Sequence, residues 1–191
     1  DPSVVALDFK EKGATHIHLV DLEGAKQGGT PNLETVKKIC ETADLFSEIG
    51  GGIRDEETVQ KYIDSAKLAG ADYVIALSHI GYAEDGIYGN IEDVETLIRN
   101  TDGFDVVLDA HSHSIIESKT IADKGGNEVL LSSTGTKFEY IGKLVISNDG
   151  FKTELIKTED YKKTDSTVDS YIKKINEEFA VLGERKIAFS E

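Results

Sequence analysis

The sequence has no methionine, no tryptophan, one cysteine and two prolines in 191 residues. Cys40 standing alone excludes a disulfide within the chain and a thiolate zinc cluster. Long apolar runs are missing too: none approaches the roughly 18 residues that a membrane span requires. Positive charge is scarce, with 21 Lys and Arg against 36 Asp and Glu, a net −15 at pH 7. Such a deficit argues against partners of dense negative charge, so neither nucleic acid nor an anionic membrane surface is expected. With no methionine and a start at Asp1-Pro2-Ser3, the expectation is a fragment, a processed chain or an engineered piece. What remains is ordinary for a globular protein: 39% hydrophobic, 30% charged, and long enough to bury a core.

Helix and strand alternate at first. "DPSVVALDFKEKG" places Val4, Val5, Leu7 and Phe9 near helical spacing, with Pro2 in the first turn and Gly13 at the stop. "THIHLVDL" reads as a buried parallel strand. "NLETVKKICETA" reads as a helix capped by Asn32, with Leu33, Val36, Ile39 and Cys40 on its apolar side. "LFSEI" is a strand, Asp55 caps the next helix, and "DYVIALS" is another strand. "KEKGATHIHLVD" (10–21) is echoed by "KLAGADYVIALS" (67–78), and this alternation favours a parallel sheet covered by helices. After residue 80 the texture changes. A Gly-rich loop, the helix "IEDVETLIRNT" and the strand "FDVVLDA" precede short strands that read as antiparallel. "DSTVDSYIKKINEEFAVLG" is an amphipathic helix with Val168, Tyr171, Ile172, Ile175, Phe179 and Leu182 at its spacing. "KIAFS" reads as a final strand or a linker.

"EIGGGIRDEET" sets Gly50, Gly51 and Gly52 between a strand and a capped helix. Backbone N–H groups there can approach a phosphate closely, the helix N-terminus favours negative charge, and Arg54 adds a cation. The plain alternative is a tight turn that needs positive φ. "HLVDLEGAKQG", "NLETVKKI" and "EIGGGIRDEETVQKY" make residues 1–66 resemble the phosphoribosylformimino-aminoimidazole carboxamide ribotide isomerases of histidine biosynthesis. The resemblance implies part of a TIM barrel, from helix 1 through helix 3. It implies a share in a phosphate loop for Gly50–Gly52 and a strand-end acid at Asp21. The family's strand 1, with its first catalytic aspartate, would lie before Asp1, and strands 5 to 8 have no counterpart.

His79, His111 and His113 each sit just past the end of a strand, the edge where open α/β sheets hold ligands. Imidazoles there suit zinc, manganese or iron; loop histidines with no metal are the bland reading. His16 and His18 alternate inside a strand and read as packed or hydrogen-bonded. "ALSHIG", "DAHSHS" and "STGTKFEYIGKL" make residues from about 64 onward similar to the C-terminal half of the metallophosphoesterase domain of bacterial 5′-nucleotidases. By that resemblance His79 and His111 ligate one ion of a two-metal site and His113 the other. The family's Asp-x-His, bridging aspartate and Asn-His catalytic pair are absent, and "YGNIED" has isoleucine where histidine is required.

The two resemblances meet at "VQKYIDSAKLAGADYVI", a helix followed by a strand in both families, so the sequence looks like a chimera. Asp21, Glu23 and Glu48 also follow or end strands and are candidate accessory acids for a mononuclear site with the histidines. The expected fold is α/β: parallel βα units running into an antiparallel extension, then a C-terminal helix. Expected segments are 1–66 (isomerase-like), 67–157 (metallophosphoesterase-like) and 158–191 (helix or linker), the first two on one merged sheet. The expected function is a weakly active or inactive remnant of a metal-dependent phosphoesterase. Zinc or manganese is its expected cofactor, and a nucleotide or sugar phosphate its ligand. Alternatives are a sugar-phosphate binder of the isomerase kind and a non-catalytic chimeric scaffold. The isomerase part points to the cytoplasm and the nucleotidase part to export.

Overall fold

The computed structural model describes residues 1–82 and 93–183. The chain divides into two compact units, Asp1–Ile156 and Lys157–Glu191.

In the first unit, α1 (Pro2–Glu11) starts at Asp1, whose carboxylate accepts from Ser3 N at 3.1 Å. β1 (His16–Val20) is followed by a short helix α2 (Leu22–Gln27), which the sequence did not announce, and by α3 (Leu33–Ala43). β2 (Phe46–Gly50) leads to α4 (Glu56–Leu68), capped as expected by Asp55, which accepts from Thr58 N at 2.7 Å. Then follow β3 (Ile75–Leu77), α5 (Val94–Asn100) and β4 (Val106–Asp109). The chain continues with β5 (Ile115–Ala122), β6 (Glu128–Thr134), β7 (Tyr140–Ser147) and β8 (Gly150–Lys157), whose last residue opens the second unit.

Among the described residues the strands form three sheets rather than one merged sheet. β1 and β2 pair in parallel, His16 opposite Phe46 through Val20 opposite Gly50. The main sheet has the order β3-β4-β6-β5, and β7 with β8 is a separate hairpin. The antiparallel reading holds for β5 with β6, but β6 itself runs parallel to β4. β5 takes the edge, so β6 returns beside β4 in β4's own direction.

The principal core lies on the main sheet: Ile63 of α4, Val94, Leu97 and Ile98 of α5, Phe104, and Val107, Ile121, Val129 and Leu131 of the strands. A smaller core joins Ala6, Ile39 and Ala43, with Ile17, Leu19 and Leu45 against it. Small residues here let α1 approach α3 closely. Ser3 and Ala6 are buried, while Val4, Val5, Leu7 and Phe9 stay exposed. β1 is likewise no buried strand, because a two-stranded sheet has only one covered face. Ile17 and Leu19 face the small core, and His16, His18 and Val20 are exposed. Asn32 makes no capping bond to α3; its side-chain amide goes elsewhere.

The second unit contains a short 3-10 turn (Thr158–Asp160) and α6 (Ser166–Gly183). The expected helix is there, with Val168, Tyr171, Ile172, Ile175, Phe179 and Leu182 all exposed. "KIAFS", most of "YGNIED" and the greater part of the loop after residue 80 lie outside the described residues. Among the described residues no helix is long and apolar enough to cross a membrane.

Candidate functional site

β3 and β4 run parallel with Leu77 opposite Leu108, so the segments that follow them leave the sheet at one edge. Ser78 N continues the pairing with a bond to Leu108 O at 2.9 Å. Asp109, the last residue of β4 and only 7% exposed, reaches across to the segment leaving β3. Its Oδ1 accepts from Ser78 Oγ at 2.5 Å and from Ile80 N at 3.0 Å, and its Oδ2 accepts from Gly81 N at 3.0 Å. One residue along, Tyr82 N donates to Ser112 Oγ at 3.0 Å, and Ser112 Oγ meets Ser114 Oγ at 2.9 Å.

This lacing sets His79 beside His111, their ring centroids 5.2 Å apart and the planes at 70°. Gly81, at φ +99°, is the residue that His111 needs nearby: a Cβ there would sit 3.3 Å from the His111 ring. His111 (φ 80°) and His113 (φ 58°) both hold the left-handed backbone region, which side chains other than glycine seldom occupy and which is common at binding sites. Two imidazoles in contact at the C-terminal edge of parallel strands can offer lone pairs to an electrophile.

They do not make a complete metal cage. Among the described residues, no group of three or more His, Cys, Asp or Glu side chains is placed to hold an ion. His113 therefore does not join His79 and His111. Asp109 is near, but both of its oxygens are committed to the clasp. Zinc sites ordinarily use three or four protein ligands, so the donor set fits an ion only in part.

The acids expected to assist serve other ends. Asp21, 3% exposed, caps α2: its Oδ1 accepts from Gly24 N at 2.8 Å and Asn32 Nδ2 at 2.8 Å. Its Oδ2 accepts from Asn32 N at 3.3 Å and Tyr62 Oη at 3.4 Å. Burial opposes its ionisation, but those hydrogen bonds outweigh burial and hold the carboxyl below the ordinary aspartate range. Burial, and then the Asp21 charge, push the Tyr62 phenol up. Glu23 accepts from Asn32 Nδ2 at 3.0 Å, and Glu48 pairs with His18 Nδ1 at 3.0 Å across β1 and β2.

The glycine loop shows why two of its three glycines are there, since a Cβ on Gly50 would meet nothing within 4 Å. Gly51 (φ +101°) and Gly52 (φ +79°) press backbone against backbone: an added Cβ would lie 2.4 Å from Asp21 O and 2.2 Å from Gly24 O, respectively. Arg54 turns to the α2 helix and donates to Ala25 O at 2.5 Å. A cavity of about 230 Å³ opens on the main sheet near Ser78 and Asp109, lined also by Ser132, Thr134, Lys143 and Thr153.

Asp109, Ser78, Gly81 and Ser112 were not singled out from the sequence. Their one signal is a carboxylate closing an apolar strand directly before His-x-His, where burial demands partners.

Comparison with known proteins separates two likenesses. Residues 1–87 match the family described as "Histidine biosynthesis protein". A curated 1-(5-phosphoribosyl)-5-((5-phosphoribosylamino)methylideneamino) imidazole-4-carboxamide isomerase of Caldicellulosiruptor saccharolyticus is 41% identical over 99 residues, 52% of this chain and 37% of the relative. The isomerase of the same name from Nitratiruptor sp. is 55% identical over 64 residues, 34% of this chain and 27% of the relative. The chain thus spans 37% and 27% of the length of these two relatives. Among solved structures, a 5′-nucleotidase precursor from Thermus thermophilus superposes with a TM-score of 0.55 at 20% identity, over 74% of this chain and 31% of that one. The chain is therefore chimera-like: its N-terminal part is similar in sequence to histidine-biosynthesis isomerases, and its fold is similar to that of a 5′-nucleotidase.

Proposed function

We propose that the chain is a remnant of a metallophosphoesterase of the 5′-nucleotidase kind, binding a phosphate-bearing small molecule with little or no turnover. The observation that carries this reading is the His79–His111 ring pair, held at the C-terminal edge of β3 and β4 in a nucleotidase-like fold. His79 and His111 are the ligands proposed for one divalent ion, zinc or manganese, with His113 the nearest further imidazole along the chain. Such an ion supplies Lewis acidity toward a phosphoryl oxygen. Low turnover follows from the ligand count among the described residues, since two protein donors would hold an ion loosely.

The test is calorimetric titration with Zn²⁺ and Mn²⁺ of the wild type and of a His79→Ala/His111→Ala variant, alongside hydrolysis of 5′-AMP and p-nitrophenyl phosphate. Uptake confined to the wild type, with hydrolysis near background, supports the reading. Equal uptake by both proteins overturns it.

A second reading has its own observation, the isomerase-like sequence of residues 1–87. Under it, Gly50, Gly51, Gly52 and Arg54 bind a sugar phosphate, and Asp21 supports the loop. Inorganic phosphate or ribose 5-phosphate would then raise the melting temperature of the wild type but not that of an Arg54→Ala variant. No ligand-dependent shift in the wild type removes this reading.

A further inference from the structure

We infer that Asp109 is the positioning residue of the histidine pair, a role that rests on the reading of His79 and His111 as the binding pair. Asp109 holds the segment on both sides of His79, through the Ser78 hydroxyl before it and the backbone N–H groups of Ile80 and Gly81 after it. His111 lies two residues beyond Asp109 on the same strand exit, so one carboxylate fixes the two segments that carry the rings. Gly81 is the third anchor of the clasp and also the residue against which the His111 ring packs, 3.3 Å from where a Cβ would stand. The hydrogen bonds of the polypeptide thus bring the two rings into contact.

The carboxylate is suited to this task in a way that its amide is not. Three donors converge on it, and a carboxylate accepts at both oxygens. Asparagine keeps the acceptor facing Ser78 and Ile80 but turns a donor toward Gly81 N–H. Asp109→Asn therefore loses the Gly81 bond and sets donor against donor there, Asp109→Ala loses all three bonds, and Ser78→Ala loses one without repulsion.

The experiment is NMR on the full chain in the presence of EDTA, reading the cross-peak between the His79 and His111 ring protons. Amide shifts of Val106, Val107 and Leu131 report whether the sheet is intact. The expected series is a strong cross-peak in the wild type, weaker in Ser78→Ala, weaker again in Asp109→Asn and lost in Asp109→Ala, with the sheet amides unmoved. A wild-type-strength cross-peak in Asp109→Ala overturns the inference, as does no cross-peak in the wild type. If Asp109→Ala does not fold, full-strength cross-peaks in both Asp109→Asn and Ser78→Ala overturn it. Zn²⁺ titration of the same proteins adds a functional readout: Asp109→Asn is expected to bind at least about 10-fold more weakly, as loss of a ligand-orienting partner does. If the wild type takes up no more zinc than His79→Ala/His111→Ala, the metal reading fails while the cross-peaks still judge Asp109.

Discussion

Gly52 and Gly24 meet backbone to backbone: a Cβ on Gly52 would stand 2.2 Å from the Gly24 carbonyl carbon and oxygen. The loop after β2 is thereby locked onto the first turn of α2, whatever it binds. Gly52→Ala combines left-handed strain with a backbone clash and should destabilise the protein by about 3 kcal/mol or more. Gly28→Ala is the control, since Gly28 has φ +79° but nothing within 4 Å of a Cβ. With ψ 173° Gly28 lies where glycine is nearly the sole occupant, so Gly28→Ala should cost about 1–3 kcal/mol from strain alone, less than Gly52→Ala. Urea unfolding of both variants checks the difference.

Asp21 and Tyr62 bound the pH range of stability from opposite sides. The folded pKa of Asp21 lies below its unfolded value, so its contribution is complete above about pH 4 and is lost as pH falls through the folded pKa. Tyr62 has its folded pKa raised. Its contribution is complete below about pH 10 and is lost as pH rises beyond that. Asn32→Ala removes a side-chain donor to Asp21, so the midpoint of acid unfolding should move to higher pH. Tyr62→Phe should flatten the alkaline limb. Circular dichroism against pH reads both, and an unmoved acid midpoint in Asn32→Ala would contradict the first.

Burial separates residues that look alike in sequence. Leu131 is fully buried in the principal core, whereas Val5 on α1 is 52% exposed. Leu131→Ala should cost about 2–5 kcal/mol. Val5→Ser should stay within about 0.5 kcal/mol, as surface changes do. Chemical denaturation distinguishes these outcomes directly.

Metal addition gives a fourth expectation. An ion that binds only the folded chain stabilises it by mass action, about 1.4 kcal/mol at ten times the dissociation constant. Zn²⁺ should raise the melting temperature of the wild type, EDTA should reverse the rise, and His79→Ala/His111→Ala should show none. A melting temperature indifferent to both additions favours a non-catalytic scaffold.

Element types were legible in the sequence because they depend on local signals. Asp55 before "EETVQKY" capped its helix as read, the β-branched runs became strands, and the α/β class with its parallel units and antiparallel extension stood. The placement of His79 and His111 at one sheet edge was also legible, since parallel strands end together.

What tertiary structure alone decided is which face is covered and which polar groups find each other. Val4, Val5, Leu7 and Phe9 have the spacing of a buried face, yet Ser3 and Ala6 occupy it, because close helix packing on α3 selects small side chains. Asn32 looks like a cap from its position before α3, yet its amide bonds Asp21 and Glu23, which are distant in sequence. Asp109 reads as one more residue of a strand, and only the register of β3 beside β4 turns it into the clasp around His79. Periodicity and capping act within a few residues, whereas the pairing of buried donors with acceptors depends on which strands lie side by side.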